Sequence, residues 1–296
     1  MREGALRKNA TRAVMYIFLI AVSLISVFPL YWSFISAFNN TQQILGGWLL
    51  PSTHLLENLQ HLFEQHNVVR ALKNSFATTL LQTFAALAVS SIAGYGFEIY
   101  HDKAKDTVMA ILMLAMMVPF VAVLVPLFQM FTKAKLINSW TGFILPSIAT
   151  PFLIMYFRNS ARSFPRDTLE AARIDGLNEF QIFIRMFIPM MKPTYASAAT
   201  ITFMGAWNAY LWPKVVMQTN EAITMPMLVA NTMGGYVIDY GVVMAAVTIC
   251  SLPTVIIFFC LQKSFTNAVA VQSNDGTMSP IRGAAPLNIQ PASLSF

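Results

Sequence analysis

The chain has 296 residues, 56% of them hydrophobic and 11% charged, with a mean hydropathy of +0.58. Soluble domains carry about 25% charged residues, so a soluble globule of this length is excluded and a membrane protein is indicated. The formal net charge of +6 does not point to nucleic acid, because the cations lie at the ends of apolar runs and form no interleaved basic and aromatic face.

Runs of about 20 mostly apolar residues read as membrane spans. The sequence has six, at 13–38, 74–97, 107–131, 141–157, 194–213 and 242–262, which predicts an all-α polytopic fold. The first follows Arg2, Arg7, Lys8 and Arg12, as a secretory signal would. It is too long for one and has no small-residue cleavage site before Asn39, so it reads as an anchor.

With six spans both termini share one side. Placing Arg70, Lys73, Lys133, Lys135 and Lys214 outside leaves the remainder of the 19 Lys and Arg inside, and the positive-inside rule then makes both termini cytoplasmic. Pro29, Pro119, Pro126, Pro146, Pro151 and Pro253 lie in or near the spans. Each removes an amide donor and tends to kink its helix. Pro119 and Pro126 fall in one span, which can line a cavity or pack as an ordinary kinked helix. Cys250 and Cys260 share the last span, roughly 15 Å apart along a helix, too far for a disulfide with each other.

Within the spans Gln82 and Gln129 are uncharged polar groups that need partners in lipid; they serve helix packing or line a cavity. The first external loop carries His54, His61, Glu64 and His66. Their spacing is not that of a zinc-protease helix, and no metal site is expected.

The cytoplasmic segment at 158–193 reads as two short helices bent at a glycine. Asp167 with Glu170 has capping-box spacing, Gly176 supplies a left-handed turn, and Asn178 with Gln181 repeats the cap. Phe180, Phe183, Ile184 and Phe187 fall at i, i+3, i+4 and i+7, one face of an amphipathic helix, which Pro189 and Pro193 end. Ala171 and Ala172 are small enough to seat the first helix in a groove of another protein. Physically, an amphipathic connector on the membrane surface fits equally well.

The same segment resembles a family. Glu170, Ala171, Ala172, Gly176 and Pro189 match at the right spacing the E-A-A-x-x-x-G-x9-I-x-L-P pattern of permease subunits of binding-protein-dependent ABC importers. Met186 and Ile188 are mild departures, and Asp175-Gly176 is the form common in carbohydrate importers. The resemblance extends over residues 12–267. It takes in Asn74-Ser75, Ala93-Gly94-Tyr95-Gly96-Phe97, Leu136-Ile137-Asn138-Ser139, Trp207-Asn208-Ala209-Tyr210-Leu211-Trp212-Pro213 and Leu261-Gln262-Lys263. Together these are similar to the six-span subunit of the maltose-transporter type.

That resemblance implies a cytoplasmic segment 1–12 and a transmembrane domain 13–267 in a bacterial cytoplasmic membrane, while residues 268–296, bearing Ser, Pro, Ala and Gln without periodicity, read as a flexible cytoplasmic tail. It implies a homologous second permease, two cytoplasmic ABC ATPases and an extracytoplasmic sugar-binding protein as partners. Glu170, Ala171, Ala172, Asp175, Gly176, Phe180 and Pro189 would form the coupling helix that ATP-driven closure pushes. The tail departs from the short family ending and puts its contact with the ATPases in doubt.

Trp207, Asn208, Tyr210 and Trp212 have the aromatic and polar chemistry that binds sugar rings, although such residues also gather at bilayer interfaces. The external loop 214–241 occupies the position from which the maltose-type subunit reaches into its binding protein. Gln218, Asn220 and Glu221 are its candidate contacts, with a plain solvated loop as the competing reading.

The chain has no G-x-x-x-x-G-K-[ST] motif and no G-x-S-x-G, so no nucleotide cradle of the P-loop kind and no nucleophile elbow are expected. It reads as non-catalytic, with ATP and Mg on the partner ATPases and no cofactor of its own. The leading expectation is import of a disaccharide or oligosaccharide. The rivals are an importer of a non-sugar solute and an ion-coupled carrier, the latter disfavoured because no ionisable residue sits mid-span.

Overall fold

The computed structural model describes the backbone of residues 2–234 and 236–275, and the side chains within 12–234 and 236–260. The described residues are helical with short connections. The order is α1 (Arg2–Ser36), α2 (Thr41–Leu45), α3 (Leu55–Gln65), α4 (Val68–Ile99), α5 (Lys103–Ala115), α6 (Phe120–Lys133), α7 (Trp140–Ile144) and α8 (Pro151–Ala161). Then come α9 (Arg166–Ile174), α10 (Glu179–Ile182), a π-helical turn Phe183–Phe187, α11 (Ile188–Met190), α12 (Lys192–Trp207), α13 (Leu211–Val216), α14 (Met225–Thr232) and α15 (Tyr240–Asp275).

Among the described residues three helical stretches are long and apolar enough to cross a membrane: Arg12–Ser36, Val68–Ile99 and Tyr240–Cys260. Two bent pairs bring the number to five if each is one span. Lys103–Ala115 with Phe120–Lys133 turns through 100°, and Trp140–Ser147 with Pro151–Ala161 through 51°. Proline explains both bends. Pro119 is extended at the N-cap of α6 (ψ 131°); Pro151 opens α8 and holds Thr150 at ψ 129°, outside the helical region.

The predicted span 194–213 is not one helix. Its helical part, α12, has 16 residues against the roughly 20 a span needs. The chain then breaks at Asn208–Tyr210 before α13, with the Asn208 amide turned back on its own helix at the Met204 carbonyl (2.9 Å). At the other end α15 continues to Asp275, so the first part of the expected tail, 268–275, is helical; 276–296 lie outside the described residues.

α4 occupies the centre, packed on α8, α12, α14 and α7. Gly94 makes the α4–α8 approach possible: a Cβ there would lie 2.6 Å from the Phe157 Cβ and 2.7 Å from the Arg158 amide nitrogen. Just below, Glu98 accepts from Arg158 (3.3 Å) and Arg162 (3.4 Å), while Arg158 also reaches Asp106 (2.5 Å). This network ties the ends of α4 and α8 to the start of α5.

The apolar core is divided. One cluster gathers Leu62, Val68, Phe203, Trp207, Met225, Val242 and Ala245 at one end. Another gathers Tyr95, Phe164, Leu169, Ile182, Phe183 and Phe187 beneath the bent segment. By contrast the stretch of α1 from Arg12 to Leu30 is exposed along its length, an apolar surface for lipid or another chain.

Candidate functional site

The bent segment is built by local cap chemistry. α9 starts after Pro165, which makes no side-chain cap; the Asp167–Glu170 capping box read from the sequence is therefore absent. A proline φ presets the entry, and Asp167 instead lies within the first turn, where its charge favours the helix N-terminus. Leu169 and Ala172 are buried against the chain's own core, so Ala172 seats α9 on this protein, whereas Glu170 and Ala171 face outward.

Gly176 closes α9 at φ 80°. The Gly176 amide donates to the Arg173 carbonyl (3.1 Å) and the Leu177 amide to the Ala172 carbonyl (3.1 Å), the paired bonds of a Schellman turn. Asn178 then caps α10: its side chain accepts from the Gln181 amide (2.9 Å) and Gln181 reaches back to the Asn178 amide (3.0 Å). Across the turn, Arg173 pairs with Glu179 at 2.7 Å. Partial burial pushes the Glu179 carboxyl up, but Arg173 and Tyr100 outweigh it and hold the group below its ordinary value. The bond to Glu179 raises the Arg173 guanidinium in turn.

The face predicted for the second helix is displaced. Phe183 and Phe187 are buried, whereas Phe180 and Ile184 are exposed, and Ile182 and Met191 take buried places. The cause is the π turn, in which the Ile188 amide bonds the Phe183 carbonyl five residues back. Its wider turn lines up residues four apart, and it precedes Pro189, which has no amide to give.

Ile174 is 86% and Phe180 70% exposed. They flank the Gly176 turn as two apolar side chains on an otherwise polar knuckle. Ile174 was not read from the sequence, although an isoleucine in the last turn of a charged helix, two residues before the closing glycine, is a visible signal. Glu170 lines a cavity of about 120 Å³ with Arg162, Arg166 and Arg173.

The other candidate residues separate into groups. Trp207 is fully buried, donates to the Cys250 carbonyl (2.8 Å) and stacks on Phe203 (5.9 Å). Trp212 donates to the Gly142 and Phe143 carbonyls (3.1 and 3.2 Å). It shares with Gln82 a cavity of about 270 Å³, whose other polar walls are Ser147, Thr150 and Thr202. Asn208, Tyr210 and Gln129 are exposed and lie outside that cavity. Gln218, Asn220 and Glu221 are exposed between α13 and α14. Among the described residues no three His, Cys, Asp or Glu side chains are placed to hold a metal ion.

Comparison with known proteins gives consistent matches. The family described as binding-protein-dependent transport system inner membrane component matches residues 86–271. The lactose transport system permease protein LacG of Rhizobium radiobacter is 38% identical over 89% of this chain and 97% of its own length. The arabinooligosaccharides transport system permease protein AraQ of Bacillus subtilis is 31% identical over 88% of this chain and 94% of its own. In fold, the chain is similar to a chain of a bacterial ABC transporter involved in import of the acidic polysaccharide alginate. The TM-score is 0.77 at 20% identity, over 87% of this chain and 97% of that one.

Proposed function

The chain belongs to the family of binding-protein-dependent transport system inner membrane components, and on that premise we propose that it is the permease subunit of an ATP-driven importer of a disaccharide or oligosaccharide. The observation that carries the reading is the near full-length similarity to the lactose permease protein, 97% of whose length is matched. Six spans, both termini in the cytoplasm and a homologous second permease complete the reading.

The segment 165–191 acts as the coupling element. Ala171, Ile174 and Phe180 present an apolar surface of the kind that fills a groove in an ATPase, while Leu169, Ala172, Phe183 and Phe187 fasten the same segment to the spans. A knuckle fixed inside and apolar outside transmits displacement without folding anew. ATP hydrolysis belongs to two separate ATPase chains, with their Mg. The cavity at Gln82, Ser147, Thr150, Thr202 and Trp212 lies on the solute's path, since unpaired amide and hydroxyl groups inside a membrane either pair or face a polar solute. Gln218, Asn220 and Glu221 meet the extracytoplasmic binding protein.

Tagged purification in mild detergent with mass spectrometry tests the class. Recovery of a second permease and a P-loop ATPase is the expected result. A chain that stays alone or self-associates under gentle extraction contradicts the importer reading.

A further inference from the structure

α4 runs 32 residues without an internal proline, a rod of roughly 48 Å. Proline lies inside α1, α6 and α15, and α7–α8 is a bent pair. Sharp kinks arise chiefly at proline or at disrupted ladders, and α4 alone among these has no proline to bend it.

Each end of α4 holds a segment by its main chain or by buried contacts. At the start, Asn74 Nδ2 donates to the carbonyls of Glu221 (2.8 Å) and Ile223 (3.0 Å), and Ser75 Oγ accepts the Met225 amide (2.7 Å). Asn138, at φ 58°, completes the hold: its Oδ1 accepts the Gln218 and Thr219 amides (2.5 and 3.1 Å). Because every one of these bonds ends on backbone, the loop's shape is set from outside, and the Gln218, Asn220 and Glu221 side chains are left exposed.

At the other end, the Tyr95 hydroxyl donates to Glu179 Oε2 (3.3 Å), and its ring packs edge-on to Phe183 (5.3 Å) and Phe187 (4.9 Å). Gly94 and Glu98 lock the same turns to α8, which leads directly into α9.

We propose that α4 is a transmission strut joining the coupling segment to the external loop, with Asn74, Ser75 and Tyr95 as its positioning residues. It rests on the permease reading above. A partner pressing on the loop is then sensed at the coupling segment through one helix, and the reverse holds with equal free energy. The physical content is a rigid element anchored at both ends, whose tilt both sites bias.

The test uses the complete importer in proteoliposomes. ATPase rate is followed against concentration of its binding protein, saturated in turn with lactose and with arabinotriose as probe sugars. Tyr95→Phe removes the hydroxyl and keeps the ring; Asn74→Asp replaces the two-carbonyl donor with an acceptor. Each is expected to lower the binding-protein-stimulated rate roughly three- to tenfold with basal ATPase unchanged; Tyr95→Phe, which leaves no buried charge, is also expected to keep the wild-type thermal stability. The double variant is expected to be no worse than the weaker single one, because both losses interrupt one path.

Ser75→Ala should behave like Asn74→Asp, and Ser75→Thr, which keeps the hydroxyl, should restore the wild-type response; this pair decides the matter should Asn74→Asp not reach the membrane. Full stimulation in the single variants, or losses that multiply in the double variant, overturns the strut. A wild-type chain that recovers neither a second permease nor a P-loop ATPase overturns the permease reading itself, whichever sugar is carried.

Discussion

Gly176 stands at φ 80°, and nothing lies within 4 Å of the place its Cβ would take. The demand there is conformational only: Gly176→Ala should cost about 1–2 kcal/mol, and Gly176→Asn less, since Asn tolerates the left-handed region. Hydrogen exchange of the amides at 172–182 reads the difference. Gly94 is the opposite case, with an ordinary φ and no room. Gly94→Ala pushes α4 off α8 and should lower stability by about 1–3 kcal/mol, seen as a lower melting temperature in detergent. Arg158 is buried between Glu98 and Asp106; Arg158→Met leaves a mostly buried Glu98 carboxylate with Arg162 as its remaining partner and should cost about 1–3 kcal/mol. Glu179 supplies a pH dependence. Its folded value lies below the ordinary 4.5, so its contribution is fully present above that pH and is lost as pH falls through the lower folded value. Exchange protection of residues 172–182 should weaken on acidification below about pH 4.5, and Glu179→Gln should remove that dependence.

Among the elements, α9 and α10 show what a sequence reveals and what it hides. The Gly176 turn and the Asn178–Gln181 cap were legible because each is made by residues within a few positions of one another. The start of α9 was not: Asp167 and Glu170 have the right spacing for a box, but Pro165 fixes the entry two residues earlier than a capping Asp requires. The apolar face of the second helix was misread at Phe180 and Ile184 because a 3.6-residue period was assumed where the chain forms a π turn ahead of Pro189. Composition likewise located the apolar stretches and Pro119 marked a kink, yet neither the 100° size of that bend nor the break at Asn208 was legible, because both depend on what the neighbouring helices leave room for. Gln82 and Trp212 were placed together by packing among α4, α7, α12 and α13, which no local pattern encodes, while Trp207 went to the core. The cap itself makes a quantitative expectation: Asn178→Ala should cost about 1 kcal/mol, read as roughly fivefold faster exchange at the Gln181–Phe183 amides.

At the scale of the molecule, the two core clusters sit at opposite ends of α4, with the cavity at Gln82 between them. One end carries the Gly176 knuckle and the other the loop clamped by Asn74, Ser75 and Asn138. The exposed apolar length of α1 leaves a surface for lipid or another chain. This arrangement suits a subunit that converts displacement at one face into access at the other, and it predicts that disturbing the knuckle separates ATP hydrolysis from movement of solute. The most direct measurement is the ratio of sugar accumulated to ATP hydrolysed in proteoliposomes of the complete importer, wild type against Gly176→Asp. Continued hydrolysis with accumulation reduced to background is the expected result for the variant; accumulation at the wild-type ratio would contradict the coupling role of this turn.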